Sequence, residues 1–403
     1  MNVPFFESEL KKIHTIIKES LEAEQPIGVL NGLAGVSLFQ FHYAKYLKDK
    51  NHKNLGPEIL NRCIDQINNG FNNYTFCNGI AGFGWLLDHL NIEGIVENDN
   101  SFLKAFDSDI YSFMQYSFEI NFYDYMHGAI GSAYYFLNRY RDSETESDKE
   151  RYAKVLREFI VLLLSTAEEE GETLKWKSTN NNFDEATYDL GLAHGTASII
   201  SILTKLNAYD DFKPSTDDML RKAINYLLSV RNGQEETFSI FPNTIFNADK
   251  IIRKSRLGWC YGDLGIGIAL YNAGKQLNDN TLKQTSIDIL MHAAKRKTPE
   301  ETWVKDPFVC HGTFGNAQIF HRIYKETNID VFKEAFEFWL QIGIDVMSPL
   351  SESEKTTNEW AQDYNASIQD NFSIVNGVAG IGLVMLDCLT NLNSNWDECL
   401  MIS

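Results

Sequence analysis

Apolar residues along this chain fall into two kinds of run. One kind is apolar nearly all round at helical spacing, as in VSLFQFHYAKYL, FGWLLDHL, IGIALYNAG and IGLVMLDCL; a helix without a polar face is buried on most sides. The other kind carries one apolar stripe among charges, as in KERYAKVLREFIVLLLSTAEEE and STDDMLRKAINYLLSVRN, the pattern of a helix packed on one side only. The two kinds alternate, which predicts an inner layer of helices wrapped by an outer one. Leu10, Ile13, Ile16, Ile17 and Leu21 give the N-terminal segment the same amphipathic spacing, and KWKS after Gly171 reads as a short strand.

Each all-round apolar run follows a recurring glycine motif. The copies are NGLAG at Gly32, NGIAG at Gly79, HGAIG at Gly128, HGTAS at Gly195, YGDLG at Gly262, HGTFG at Gly312 and NGVAG at Gly377, spaced 47, 49, 67, 67, 50 and 65 residues apart. Periods in this range mark arrays of helical hairpins, in which no unit buries its apolar face alone. Seven copies close a ring. The expected fold is therefore an all-α toroid of seven helical hairpins, one domain over residues 1–403. The glycines allow close backbone approach where helix starts crowd together, and positive φ where a turn demands it. Extra length after Gly128, Gly195 and Gly312 falls in polar stretches, including KSTNNNFDEATYD and SESEKTTNEWAQDYN, which read as loops on one rim.

Composition removes several function classes. The longest uninterrupted apolar stretch, around Phe159 to Leu164, is too short to span a bilayer, and the N-terminus lacks an uncharged secretory core. A cytoplasmic protein is expected. The net charge of −19, without a basic run, argues against nucleic acid as a partner. The six cysteines, at positions 63, 77, 260, 310, 388 and 399, are too sparse for a disulfide scaffold, so they read as reduced thiols or metal ligands.

Cysteine occupies one repeat position twice in succession, in WCYG (Trp259–Gly262) and VCHG (Val309–Gly312). A ring sets equivalent positions of adjacent repeats side by side, so Cys260 and Cys310 are expected to converge, with His311 beside them. Two thiolates and one imidazole suit a tetrahedral zinc ion and leave a fourth position open, as catalytic zinc requires. Cys77, in FCNG, shares the repeat position but lies three repeats from Cys260, so it reads as a buried thiol. His127 and His194 also precede glycines, and Asp124 lies four residues before Gly128. His194, in the repeat next to Cys260, is the better placed of the two histidines for acid or base work; His127 reads as a capping or packing residue.

With its glycine repeats and its WCYG and CHG motifs, nearly the whole chain resembles the lanthionine synthetase C-like cyclases. The resemblance implies zinc on Cys260, Cys310 and His311, agreeing with the set read from the repeats. It also implies a catalytic pair of His194 and Asp124, with Arg256 and Tyr261 beside the first zinc cysteine as further catalytic residues. HGTAS departs from the HGIPG common in that family, and His127 stands where bacterial relatives often carry another residue.

The reaction implied is addition of a precursor-peptide cysteine to a dehydroalanine or dehydrobutyrine, forming a thioether ring. His194 and Asp124 remain alternatives for the thiol base, and Arg256 for enolate stabilisation, peptide positioning or an ion pair. The implied partners are the dehydrated precursor peptide, a separate dehydratase, and a transporter complex that would make the protein peripheral to the membrane. Two other readings stand beside this one: a zinc-dependent thiol alkylator such as a protein prenyltransferase subunit, whose ligands would include a carboxylate, and a glutathione-binding or scaffold protein without cyclase activity.

Overall fold

The computed structural model describes residues 3–20, 25–48, 55–97, 100–178, 186–233, 238–246, 254–348, 371–390 and 395–403. In chain order the helices are α1 (Val3–Ser20), α2 (Leu33–Leu47), α3 (Leu55–Asn68), α4 (Ile80–Ile92), α5 (Asn100–Lys104), α6 (Asp107–Glu119), α7 (Ala129–Arg141), α8 (Glu146–Ser165), α9 (Thr196–Asn207), α10 (Lys213–Ser229), α11 (Asp263–Gln276), α12 (Asn280–Lys295), α13 (Pro299–Thr302), α14 (Thr313–Thr327), α15 (Asp330–Met347) and α16 (Val378–Leu389).

Seven of these, α2, α4, α7, α9, α11, α14 and α16, each pack against the next, and α16 packs back against α2. The inner ring is closed. Its members are the segments without a polar face: every residue from Ile80 to Leu90 in α4 and from Val378 to Cys388 in α16 is buried. The amphipathic α3, α8, α10, α12 and α15 pack against the inner helix that precedes each of them, and α6 packs against α7. The seventh hairpin is completed from the other end of the chain, because α1 packs against α16. Phe6, Leu10, Ile13 and Ile17 form the buried stripe of α1. The architecture is the all-α toroid expected, with its last repeat assembled from both ends of the chain.

Strand content departs from expectation. KWKS contributes only Lys175 to β2 (Thr173–Lys175), whose antiparallel partner is β1 (Glu168–Glu170). The outer helix α8 stops at Ser165, so the AEEE end read as helix forms β1 instead. Gly171, at φ +59, supplies the left-handed backbone that the tight turn between these strands needs. A second antiparallel pair joins β3 (Thr187–Asp189) to β4 (Thr244–Phe246), so part of the KSTNNNFDEATYD stretch is strand. Residues 179–185 of that stretch, and all of SESEKTTNEWAQDYN, lie outside the described residues.

Each inner helix starts at its motif glycine without a side-chain cap. In five of the seven the first amide is satisfied by the main chain instead: Leu33, Ile80, Ala129, Thr313 and Val378 donate to the carbonyls of Pro26, Asn73, Phe122, Asp306 and Asn371. Space selects most of these glycines, since their φ is extended; a Cβ at Gly128 would lie 2.2 Å from the Phe122 carbonyl oxygen. Gly262 is the exception at φ +91, a backbone closed to most side chains.

The C-terminal segment 395–403 fills the bore on the side away from these turns. Trp396, Cys399, Leu400, Met401 and Ile402 are all buried. Its carbonyls accept hydrogen bonds from Tyr134 of α7, Lys205 of α9 and Asn272 of α11, and Asp397 pairs with Arg322 of α14. No helix among the described residues is long and apolar enough to cross a membrane.

Candidate metal centre and acid–base pair

The turns before the inner helices meet at one rim, where main-chain hydrogen bonds lace neighbouring turns together. Asn31 donates to Cys77, Cys77 to Met126, Ala193 to Cys260, Cys260 to Cys310, Cys310 to Val375 and Val375 to Leu30. Equivalent positions of adjacent repeats therefore touch. The 3.2 Å bond from the Cys260 amide to the Cys310 carbonyl brings two cysteines fifty residues apart in sequence to one place.

Cys260, Cys310 and His311 each direct one ligand atom into a group whose members lie within 4.8 Å of one another. The Cys260 thiol is held well below the ordinary thiol range by the hydrogen bond from Cys310, which with His311 and Arg256 outweighs burial. The same contact and burial push Cys310 well up. Burial lowers the His311 pKa, but Asp306 and Cys260 outweigh it and carry it to about 9. Nε2 of His311 lies 3.1 Å from Asp306 Oδ2, whereas the buried Nδ1 has no hydrogen bond of ordinary geometry among the described residues and is left to interact with Cys260. Two soft sulfurs and a nitrogen with no other partner among the described residues fit zinc.

Across the rim, Nδ1 of His194 is hydrogen-bonded to Oδ2 of Asp124, and the other carboxylate oxygen accepts the His127 amide at 2.5 Å. Asp124 is 5% exposed, so its charge is held in place by these bonds rather than by solvent. Burial lowers the His194 pKa, but Asp124 outweighs it and the net shift is upward from 6.5. Burial lowers that of His127. The His127 ring lies nearly parallel to that of His194 with centroids 6.4 Å apart, and the Tyr261 ring is tilted against His194 at 5.9 Å. Arg256 acts electrostatically on both Cys260 and Cys310, and its buried Nε has no hydrogen-bond partner in the described protein. No carboxylate pairs with Arg256 among the described residues, so an ion pair finds no support there. The buried Cys77 thiol, its pKa raised by burial, stays outside the metal-ligand group.

The family model of the lanthionine synthetase C-like proteins matches residues 24–401. The chain belongs to the lanthionine synthetase C-like family. Nisin cyclase is similar in structure, with a TM-score of 0.74 over 98% of this chain and 97% of that one at 18% identity, a likeness of fold.

Two residues of this lanthionine synthetase C-like chain escaped the motif reading. Asp306 holds His311, and its Oδ1 accepts the Phe308 amide at 2.9 Å. Asp189 stands before the His194 turn, accepting from Thr244 at 2.6 Å, with its pKa raised by burial. Both lie six residues before a motif glycine, the repeat position that Arg256 holds in the fifth turn and Asn73 and Asn371 hold in the second and seventh. A polar residue recurring there was the signal that would have found them.

Proposed function

We propose that this protein is a zinc-dependent lanthipeptide cyclase, adding precursor-peptide cysteines to dehydroalanine or dehydrobutyrine to form lanthionine or methyllanthionine. The observation that carries this reading is the occurrence of a Cys, Cys, His group and a pair formed by buried Asp124 and half-buried His194 on successive turns of a lanthionine synthetase C-like toroid. The similarity to nisin cyclase agrees with it.

Cys260, Cys310 and His311, through Nδ1, would hold the zinc. A free thiol of pKa about 8.5 is only about 3% ionised at pH 7, and zinc bound at this site supplies the Lewis acidity that removes that limit for the substrate thiol. The chemistry is an addition that balances within the peptide. The thiol proton is released, the sulfur lone pair forms a bond to the β-carbon, and the π electrons of the alkene move towards the carbonyl. A proton then returns at the α-carbon, so the product has the mass of the dehydrated substrate.

His194 donates that last proton. Asp124 keeps it ready by binding Nδ1, which fixes the ring and raises its pKa. Arg256, with no carboxylate partner among the described residues, faces the developing enolate charge, and Tyr261 packs the His194 ring in place. Because the substrate is already dehydrated, a separate dehydrating activity must supply it; docking to a transporter at the membrane is an extension of the same reading.

Incubation with a dehydrated, cysteine-containing peptide tests the proposal. Cyclisation consumes alkylatable thiols without changing mass. Thiols that stay fully alkylatable at every enzyme dose would favour a glutathione-binding or scaffold role, and a mass gain from an isoprenoid donor would favour a prenyltransferase.

A further inference from the structure

The main-chain lacing of the rim has one gap among the described residues. Six seams carry an amide-to-carbonyl bond between neighbouring turns, but between the third turn, around Met126, and the fourth, around Ala193, there is none. This is the seam where Asp124 of one turn meets His194 of the other. His194 is tied to the metal side, because the Ala193 amide donates to the Cys260 carbonyl at 3.2 Å. Asp124 stands across the gap, and the carboxylate–imidazole contact is itself a side-chain bridge over it.

Beneath the gap runs the C-terminal segment. The hydroxyl of Tyr125, the residue after Asp124, donates to the Cys399 carbonyl at 2.5 Å. The indole N–H of Trp259, the residue before Cys260, donates to the Leu400 carbonyl at 2.7 Å. Both side chains are fully buried, and they grip consecutive carbonyls of one strap. The strap thus joins the third turn, which carries Asp124, to the fifth, which carries Cys260 and is itself laced to the His194 turn, so the unlaced seam is bridged indirectly. It also gives a role to Trp259 of the WCYG motif, which neither binds metal nor moves a proton.

We propose that the C-terminal segment positions Asp124 against His194 across the unlaced seam, with Tyr125 and Trp259 as the positioning residues. The catalytic consequence rests on the cyclase reading; the structural one does not. Misplacement of a catalytic group by about 1 Å costs up to about a hundredfold in rate, so a strap that holds this contact is worth a measurable part of turnover.

Tyr125→Phe removes one hydroxyl and keeps the ring. Tyr134→Phe is its control, because the Tyr134 hydroxyl binds the adjacent Glu398 carbonyl at 2.9 Å from the body of α7 rather than from the Asp124 turn, while its ring lies 6.2 Å from that of Tyr125. The first readout is the downfield imidazole N–H proton signal of His194 in the full-length zinc-loaded protein. The second is hydrogen exchange at the His127 amide, which donates to Asp124, and the third is kcat on a dehydrated peptide. Tyr125→Phe is expected to weaken the downfield signal, speed His127 amide exchange and lower kcat about tenfold at unchanged KM and zinc content. Tyr134→Phe is expected to leave all three within about twofold of the parent, and Trp259→Phe to reproduce Tyr125→Phe. An unaltered His194 signal in Tyr125→Phe, or the same loss in Tyr134→Phe, overturns the proposal. If the parent protein closes no rings, the cyclase reading fails while the proton signal and exchange still decide the role of the strap.

Discussion

Asp306 binds Nε2 of His311 through one carboxylate oxygen, at 3.1 Å, and the backbone of its own turn through the other. One side chain thereby shapes the turn and aims the ring, leaving Nδ1 as the nitrogen for a metal. Asp306→Asn retains an oxygen for the Phe308 amide but loses the charge that orients and polarises the imidazole. Zinc affinity is expected to fall about 10- to 100-fold, read by competition with a chromophoric chelator. Unchanged affinity would remove Asp306 from the metal site.

The division of labour between the two halves of the rim is testable by metal content alone. Cys260→Ala and Cys310→Ala are expected to lose stoichiometric zinc, whereas His194→Ala keeps it and loses ring formation. Elemental analysis of the purified variants decides this; full zinc occupancy in both cysteine variants would refute the ligand assignment.

The proton donor leaves a signature in the pH profile. On the proposed mechanism His194 donates only while protonated, so kcat should fall as pH rises through its raised pKa, above 6.5. Asp124→Asn removes the charge that lifts this pKa and leaves the burial that depresses it. The alkaline limb of the residual activity should then move to lower pH. A limb that stays put in a stopped-flow or quenched profile would show that another group donates.

Two buried histidines set an acid limit on stability. Burial, reinforced by their mutual repulsion at His42 and by Arg141 at His89, lowers each pKa to about 3. The folded protein excludes protons that the unfolded chain takes up below about 6.5, so stability is lost as pH falls from there towards about 3. Each residue contributes a slope approaching about 1.4 kcal/mol per pH unit. His89→Phe keeps the ring that stacks on Trp85 at 4.8 Å and removes one titration. Urea unfolding at a series of pH values should show the shallower acid slope, and parallel curves would contradict it.

Sequence pattern revealed the ring and the meeting of its cysteines because both follow from repetition. A motif that recurs in register places Cys260 beside Cys310 whatever lies between them, and helices such as α16, with no polar face, have nowhere to sit but inside. The aspartate–histidine contact came from the family resemblance and needed coordinates to become a distance. Other features left no pattern. The docking of α1 on α16 is a long-range pairing of two ordinary apolar faces. The grip on the C-terminal segment reads backbone carbonyls, which every residue possesses, so Cys399 and Leu400 carry no mark of it. Asp306 and Asp189 were legible only by comparing one position across all seven turns.

Closing the last hairpin with the first helix has a further result. A linear array of hairpins exposes an apolar face at each end and needs capping units to cover it. Here α1 against α16 and α16 against α2 leave no terminal face, so no hairpin serves as a cap and every turn is free to carry chemistry at the rim. The same closure makes each hairpin's stability depend on two neighbours, and removing any one of them opens the whole circle.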